Sequence, residues 1–242
     1  MAHFYLADAV GEPGSLVELT GEEARHAAAV ARLRAGEQVR VGDGRGRVAV
    51  AEATAVGRDR VALEVRSVDV VPEPAPRLHL VQALAKGGRD ELAIQAATEL
   101  GVATVAPWQA ARSVPRWTGG KAEGGAARWA SILREASKQA MRPWTATGLP
   151  LLTTPDLVDL VATRRVVLLD PDAPLRLVDA VPQGVEDLVL VVGPEGGVAP
   201  EEAAALTAAG ATAARMGPTV LRTSTAAPAA LAALAVHLDL WP

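Results

Sequence analysis

The chain has 242 residues, of which 50% are apolar and only 3% aromatic, so its core must be built mainly from Ala, Val and Leu. It contains no cysteine, which excludes disulfides, thiolate metal sites and cysteine nucleophiles. The formal net charge of -4 excludes a uniformly basic surface for nucleic acid but allows a local basic face. No signal-peptide pattern opens the sequence, and no apolar run reaches the roughly 18 residues of a membrane helix. We therefore expect a soluble, cytoplasmic protein.

Residues 1–71 are predicted to form a small β-rich domain. The segment QVRVGDGRGRVAVAEATAV predicts a hairpin that turns at GDGRG, and RVALEVRSVDVV predicts a further strand. Residues 21–34 carry alanines at helical spacing and predict a helix. The segment PEPAPR, residues 72–77, interrupts every regular pattern and is predicted to be a linker between two domains.

From residue 78 to residue 242, short apolar runs alternate with helical patterns. This alternation is typical of a largely parallel sheet that is covered by helices on both faces. The predicted strands are LHLVQAL, RVVLLD, DLVLVV and ATAARMG. The predicted helices are GRDELAIQAATELG, AARWASILREASKQAM, PEEAAALTAAG and STAAPAALAALAVHL, and in the first of them Leu92, Ala96 and Leu100 share one face. The segment WTGGKAEGG, residues 117–125, is predicted to be a flexible surface loop.

The segment LVVGPEGGVAPEE, residues 190–202, leads from a strand through a glycine-rich turn into a helix. It lacks the Gly-Lys-Ser/Thr ending of a P-loop and the G-x-G-x-x-G spacing of dinucleotide-binding proteins. Pro200 removes one N–H from the helix start, and Glu195, Glu201 and Glu202 add negative charge that would repel a phosphate. We therefore expect a ligand without phosphates, and S-adenosylmethionine fits this description. The alternative is a tight turn without any ligand.

Two further segments carry polar side chains in patterns that suggest function. In RMGPTVLRTSTAAPAAL, Arg222 precedes Thr223, Ser224 and Thr225, each of which could cap the final helix. Taken alone, Arg222 is more simply interpreted as an ordinary surface charge. In EASKQAMR, helical spacing places Glu135, Gln139 and Arg142 on one face, where they could contact a base, brace a subunit or face solvent.

Together, the motifs ALAKGGRDELAIQAATELGV, EASKQAMR, VVGPEGGVAPEE and MGPTVLRTSTA resemble the RsmE-type 16S ribosomal RNA uridine-N3 methyltransferases in order and spacing. The N-terminal HAAAVARLRAGEQVRVGDGRG is also similar to that family, so the resemblance covers nearly the whole chain. It implies an α/β protein with an N-terminal PUA-like RNA-binding β-barrel and a C-terminal SPOUT-type domain containing a trefoil knot. It further implies a homodimer that binds 16S ribosomal RNA, within the small ribosomal subunit, and S-adenosylmethionine.

The resemblance also implies where the cofactor and the RNA bind. The cofactor is expected in three knot loops that contain Leu169, Asp170 and Pro171; Gly193, Pro194, Glu195, Gly196 and Gly197; and Met216, Gly217, Pro218 and Leu221. The RNA is expected to contact Arg25, His26, Arg32, Arg34, Arg45, Arg47, Lys86, Arg112, Gln139 and Arg142.

Methylation of uridine at N3 requires loss of a proton, and a cation near O2 or O4 would stabilise the resulting anion. Arg222 directly follows the third loop and is the candidate for this catalytic role, with Arg142, Lys86 and Arg112 as weaker alternatives. No general base is evident in the sequence. We assign Glu195 to holding the cofactor or the knot, and His26 to RNA contact or packing.

Two positions depart from the family pattern: Ser224 stands where the family has Glu, and His3 stands where it has Arg. Ser224 is the reason to consider an RNA-binding protein of the same fold that has lost methyl transfer. An α/β enzyme that uses another adenosine ligand is a second alternative. The four histidines are not spaced as metal ligands, so no metal is expected.

Overall fold

A computed structural model describes residues 3–241. The chain divides into two compact units. The first unit extends to Glu73 and also includes Ser137–Thr145, and the second comprises Pro74–Ala136 and the chain from Ala146 onward. Within the described residues, none of the helices combines the length and apolar character needed to cross a membrane.

The first unit is a curled five-stranded sheet with one short helix. Its strands follow the order β1-β3-β4-β5-β2, in which β1 pairs with β3 in parallel and the other neighbours are antiparallel. The predicted hairpin at GDGRG is confirmed as β3 and β4. The elements are β1 (Phe4–Leu6), β2 (Leu16–Thr20), α1 (Gly21–Arg25), β3 (Gln38–Gly42), β4 (Arg47–Val56) and β5 (Arg60–Val70).

The helix predicted for residues 21–34 is shorter and less regular than its alanine spacing suggested. After α1 the chain forms one π-helical turn, His26–Val30, and Arg32 has a φ of 55°, in the left-handed region that ends a helix. The wider π turn breaks the periodicity on which the prediction depended. Arg32 and Arg34 therefore lie beyond the helix rather than on it.

Ser137–Thr145 holds the turn of the GDGRG hairpin. The backbone N–H of Gly46 donates to the carbonyl of Pro143, and that of Thr145 donates to the carbonyl of Gly44, both at 3.0 Å. Trp144 donates from Nε1 to the carbonyl of Val71 at 2.9 Å. The hairpin turn is thus fixed by a segment about 100 residues away in sequence. A nearly buried ion pair adds to this unit, since Lys138 Nζ lies 2.9 Å from Glu23 Oε1.

The second unit contains a six-stranded sheet of order β11-β9-β10-β6-β7-β8, in which every strand pair is parallel. Its strands are β6 (Arg77–Ala83), β7 (Thr104–Trp108), β8 (Thr147–Gly148), β9 (Val166–Leu169), β10 (Asp187–Val192) and β11 (Thr212–Ala214). Its helices are α2 (Arg89–Glu99), α3 (Gly120–Gln139), α4 (Thr154–Val161), α5 (Leu177–Ala180), α6 (Pro200–Ala209) and α7 (Thr223–His237). The predicted parallel α/β architecture is confirmed. The linker predicted for residues 72–77 is one residue too long, because Arg77 already belongs to β6.

Apolar cores lie on both faces of this sheet, as strand alternation requires. On one face Leu80 and Leu190 pack with α2, α3 and α7. On the other face Val81 and Val191 pack with α4 and α6. The strands are buried on both sides, which explains why they appear in the sequence as continuous apolar runs.

The loop predicted for residues 117–125 is wrong, because α3 begins at Gly120. Its glycines disfavour a helix intrinsically, but tertiary packing overrides that preference. A Cβ at Gly125 would lie 2.4 Å from Trp117 Cε2, so only glycine lets this indole rest against the helix. Trp117 also packs edge-to-face against Trp129, with ring centroids 5.4 Å apart.

Two predicted helix faces differ from the structure. Helix α3 ends at Gln139 and Met141 has a φ of 49°, so Arg142 does not continue the row begun by Glu135 and Gln139. On α2 the buried side chains include Ala93, Ile94 and Ala97, whereas Leu92 is 58% exposed. The predicted apolar stripe is therefore displaced by about one residue around the helix.

Candidate functional site

A cavity of about 560 Å³ lies in the second unit, where the chain leaves β9, β10 and β11. These three parallel strands are neighbours in the sheet, so their carboxyl ends meet at one edge. That edge is where open parallel sheets generally bind ligands. The loops that follow the three strands supply most of the lining.

The loop after β10 needs glycine at its first position. A Cβ at Gly193 would lie 2.7 Å from Val198 Cγ2, closer than real contacts allow. Gly197 has a φ of 74° and donates its N–H to the carbonyl of Pro194 at 2.9 Å, which closes the turn. The turn therefore brings bare backbone to the cavity.

Glu195 is tied to the protein by two donors. Its Oε1 accepts from the backbone N–H of Lys86 and from Nη1 of Arg89, both at 3.0 Å. Arg89 also lines the cavity. The carboxylate is thus neutralised by its partner and holds the glycine loop against the start of α2.

The other two carboxylates of this segment lie outside the cavity lining, contrary to the sequence argument that used all three. Glu202 is buried, where its Oε1 accepts from the backbone N–H of Ala111 at 2.9 Å and from Thr154 Oγ1 at 2.6 Å. Glu201 is exposed on the first turn of α6. The negative charge in the cavity comes instead from Glu195, Asp170 and Asp172.

The third loop ends at Arg222, which lines the cavity and is exposed. The structure shows no ion pair for its guanidinium among residues 3–241. Arg222 itself occupies the N-cap of α7, and no side chain caps this helix. The predicted capping by Thr223, Ser224 or Thr225 is therefore wrong. The Thr223 hydroxyl bonds elsewhere, to the carbonyl of Gly193 at 2.7 Å.

The predicted cofactor residues lie in the three loops, except Leu169, which is the last residue of β9, and all except Gly196 and Pro218 line the cavity. Their role in binding stays a prediction. The cavity is also lined by three residues that the sequence motifs did not indicate as ligand-binding, Arg89, Asp172 and Thr223. Gln82, buried behind the loops, was missed as well, although a single polar residue inside the apolar run LHLVQAL was a visible signal.

Arg112 lies in a loop that is closed by hydrogen bonds of the Gln109 side chain. Gln109 accepts from the N–H of Trp117 at 2.9 Å and donates to the carbonyl of Pro115 at 3.0 Å. Arg112 lines the cavity and donates from Nη1 to the carbonyl of Gly196 at 3.0 Å. Lys86, the other RNA candidate in this unit, has an exposed side chain that does not contribute to the lining.

The remaining RNA candidates belong to the first unit. Most of them are exposed, namely Arg25, His26, Arg32, Arg34, Arg45 and Gln139. Arg47 is committed to structure, because it pairs with Glu12 at 2.7 Å and donates to the carbonyl of Val10 at 3.0 Å. Burial lowers the pKa of the Arg142 guanidinium to about 10, so it stays protonated at neutral pH.

The described part of the chain contains no group of three or more His, Asp or Glu side chains that could hold a metal ion.

Comparison with known proteins identifies the family. Residues 72–235 match the RNA methyltransferase domain family, and residues 19–66 match the RNA methyltransferase PUA domain family. The chain is 42% identical to a Ribosomal RNA small subunit methyltransferase E from Mycobacterium bovis, over 100% of this chain and 94% of the relative. It is 30% identical to the protein of that name from Bacillus subtilis, over 95% of this chain and 93% of the relative.

Solved structures agree. A Ribosomal RNA small subunit methyltransferase E from Neisseria gonorrhoeae, bound to S-adenosyl methionine, superposes with a TM-score of 0.88 at 26% identity, covering 98% of each chain. A methyltransferase from Legionella pneumophila in complex with the cofactor SAM gives a TM-score of 0.82 at 28% identity, again covering 98% of each chain. The resemblance inferred from the sequence motifs is confirmed, and the chain belongs to the ribosomal RNA small subunit methyltransferase E family.

Proposed function

We propose that this protein transfers a methyl group from S-adenosylmethionine to N3 of a uridine in 16S ribosomal RNA. The observation that carries the proposal is the meeting of three loops, after β9, β10 and β11, around one cavity of about 560 Å³. Two neighbours in structure are described as bound to S-adenosylmethionine, and the relatives in sequence are named as small subunit ribosomal RNA methyltransferases. These names support both the cofactor and the substrate.

The lining of the cavity suits a ligand that carries both positive and negative groups beside an apolar part. Its charged side chains balance, since three are arginines and three are carboxylates: Arg89, Arg112, Arg222, Asp170, Asp172 and Glu195. Leu169, Val192, Met216 and Leu221 provide apolar surface for an adenosine. A Cβ at Gly217 would meet nothing within 4 Å, so the loop leaves open space there. When bound, S-adenosylmethionine supplies an electrophilic methyl group on its sulfonium.

We assign Arg222 to binding the base of the substrate uridine. Uridine keeps its N3 proton at neutral pH, and its loss leaves negative charge on O2 and O4. A guanidinium fixed beside those oxygens would lower the pKa of N3 and stabilise the anion that forms when the N3 proton passes to solvent. Arg222 suits this role because its charge is not consumed by an ion pair among the described residues. Glu195, which already accepts two hydrogen bonds, is assigned to holding the loop.

The test is nucleoside mass spectrometry of small-subunit RNA that lacks the modification, after incubation with the protein and S-adenosylmethionine. We expect new 3-methyluridine, and a fall in kcat of about 100-fold for Arg222→Ala, the loss typical of one stabilising group. Arg165→Ala is the matched control, because Arg165 is an exposed arginine directly before β9 and does not line the cavity. Equal rates for the two variants would contradict the role of Arg222.

An RNA-binding protein without methyl transfer is the second candidate, because Ser224 replaces the family Glu on the first turn of α7. Binding of S-adenosylmethionine without any 3-methyluridine would favour it, and Ser224→Glu would then be expected to restore turnover. Selective binding of adenosine phosphates would contradict both candidates.

We also propose that the protein acts in the cytoplasm, on the small ribosomal subunit, as a homodimer. Helices α2 and α7 pack against each other, and they leave Leu92 and Val236 58% and 64% exposed. Both side chains are candidates for the dimer contact that the family resemblance implies. Light scattering should give a mass of about twice 24.9 kDa, and a mass of 24.9 kDa would exclude the dimer.

A further inference from the structure

Gln82 is a polar residue where an apolar one would be expected. It lies in β6, a strand with apolar neighbours, and its side chain has no solvent exposure. Nε2 donates to the carbonyl of Ala83 at 3.0 Å and to Thr223 Oγ1 at 2.9 Å. Oε1 has no hydrogen-bond partner among the described residues. Because a buried acceptor without a partner is costly, the reason for glutamine here must lie in its two donors.

The hydrogen bond that Gln82 donates to Thr223 decides where the proton of the threonine hydroxyl points. A hydroxyl has one proton, and one of its lone pairs is occupied by the amide of Gln82. The proton then goes to the carbonyl of Gly193, with Oγ1 2.7 Å from that oxygen. Thr223 is 5% exposed, so water does not compete freely for these bonds.

Helix capping does not account for this hydroxyl. The N-cap of α7 is Arg222, and Thr223 is already the first residue of the helix. Its side chain bonds to a different strand and a different loop instead of to the N–H groups of its own helix. The hydroxyl therefore joins separate elements: β6 through Gln82, the end of β10 through Gly193, and the start of α7.

The two ends of this connection lie at the cavity. Gly193 opens the glycine loop assigned to the cofactor, and Arg222, directly before Thr223, is assigned to the uridine. We propose that Gln82 and Thr223 are positioning residues for methyl transfer, forming with the carbonyl of Gly193 a buried relay that fixes the cofactor loop relative to the Arg222 guanidinium. This inference rests on the proposed function of the same site.

The relay is tested by removing one hydroxyl. Thr223→Val keeps the shape of the side chain and removes both hydrogen bonds. Because misplacement by about 1 Å can cost about 100-fold in rate, we expect kcat to fall at least about tenfold. We expect the Kd for S-adenosylmethionine, measured by calorimetry, to change less than about threefold, since the cofactor loop itself stays intact. Thr223→Ser keeps the oxygen and is expected to restore kcat to within about threefold of wild type.

Thr225→Val is the matched control. Thr225 lies on the same first turn, is exposed and does not line the cavity. Its kcat should equal that of the wild type. Melting temperatures of all variants show whether each is folded. If Thr223→Val does not fold, the kcat of Gln82→Met tests the relay instead, because this change removes the donor to Thr223 while filling a similar volume.

Gln82→Met and Thr223→Val also form a double-mutant cycle. Since each change breaks the same connection, the double variant should be no slower than the slower single variant. A rate loss in the double variant equal to the product of the two single losses would mean that the two residues act separately, and would overturn the relay. So would a wild-type kcat in folded Thr223→Val, or a Thr223→Ser variant as slow as Thr223→Val. Failure of the wild-type protein to form 3-methyluridine would contradict the proposed function instead.

Discussion

At the scale of single residues, the glycine loop offers the sharpest test. A Cβ at Gly193 would lie 2.7 Å from Val198 Cγ2 and 3.3 Å from the Val198 amide nitrogen. A stiff β-branched side chain cannot move aside easily, so Gly193→Ala must displace the backbone of the loop. Since this backbone is proposed to contact the cofactor, we expect the affinity for S-adenosylmethionine to fall about tenfold, as measured by isothermal titration calorimetry.

Gly196→Ala in the same loop is the control. A Cβ there would lie 3.4 Å from that of Arg112, an ordinary contact, and Gly196 neither has a left-handed φ nor lines the cavity. Its affinity for S-adenosylmethionine should stay close to that of the wild type. If Gly196→Ala loses as much affinity as Gly193→Ala, the contact with Val198 is not the cause of the loss.

At the scale of elements, a charge cluster joins the strands at the sheet edge opposite the cavity. Asp187 at the start of β10 accepts two hydrogen bonds from Arg77 of β6, at 2.8 and 3.0 Å, and one each from His79 and Arg164. Arg77 is the main cause that lowers the pKa of Asp187 to about 2. The folded state therefore prefers the charged carboxylate more strongly than the unfolded chain does.

This shift predicts a pH dependence of stability. Because the folded pKa lies below the usual value of about 3.8, the contribution of Asp187 is fully present above pH 4 and is lost as the pH falls towards 2. The side chain is 23% exposed, so screening limits the contribution to about 1 kcal/mol. Asp187→Asn should lower Tm by about 2–4 °C at pH 7, and the difference should shrink towards pH 2, as followed by circular dichroism.

Asp159→Asn provides the comparison, because Asp159 is an exposed aspartate on α4 with no ion pair among the described residues. Its Tm at pH 7 should equal that of the wild type. An Asp187→Asn variant with an unchanged Tm at pH 7 would mean that the cluster contributes nothing to stability.

At the scale of the whole molecule, a net charge of -4 makes RNA binding depend on where the cations are placed. Arg45 is exposed on the hairpin turn that Pro143–Thr145 holds, and the structure shows no ion pair for it among residues 3–241. We expect affinity for small-subunit RNA to fall steeply with salt, and Arg45→Ala to reduce the slope of log Kd against log salt by about 1. Fluorescence anisotropy measures both.

Arg60→Ala is the control for that slope, because Arg60 is already paired with Glu18 at 3.2 Å. It should leave the salt dependence unchanged. Binding that is flat between low and high salt would contradict phosphate contact by the arginines of the first unit altogether.

Much of the element pattern was predictable, and the exceptions have identifiable causes. Buried parallel strands such as β10 appear as continuous apolar runs, so their positions followed from local sequence. The start of α3 did not, because its glycines oppose a helix until Trp117 packs against Gly125. The end of the first helix was missed because a π turn at His26–Val30 breaks the 3.6-residue period.

The sequence by itself determined the parallel α/β architecture, the family and the three segments that surround the cavity, because these depend on periodicity and on motifs. Only the tertiary structure decided which charges face that cavity. Glu202 is buried, where it accepts from Ala111 and Thr154; Glu195 is paired with Arg89; and Asp172 lines the cavity beside the predicted residues of the first loop. The relay through Gln82 and Thr223 joins residues 141 positions apart, and such a contact exists only once β6, β10 and α7 have packed together.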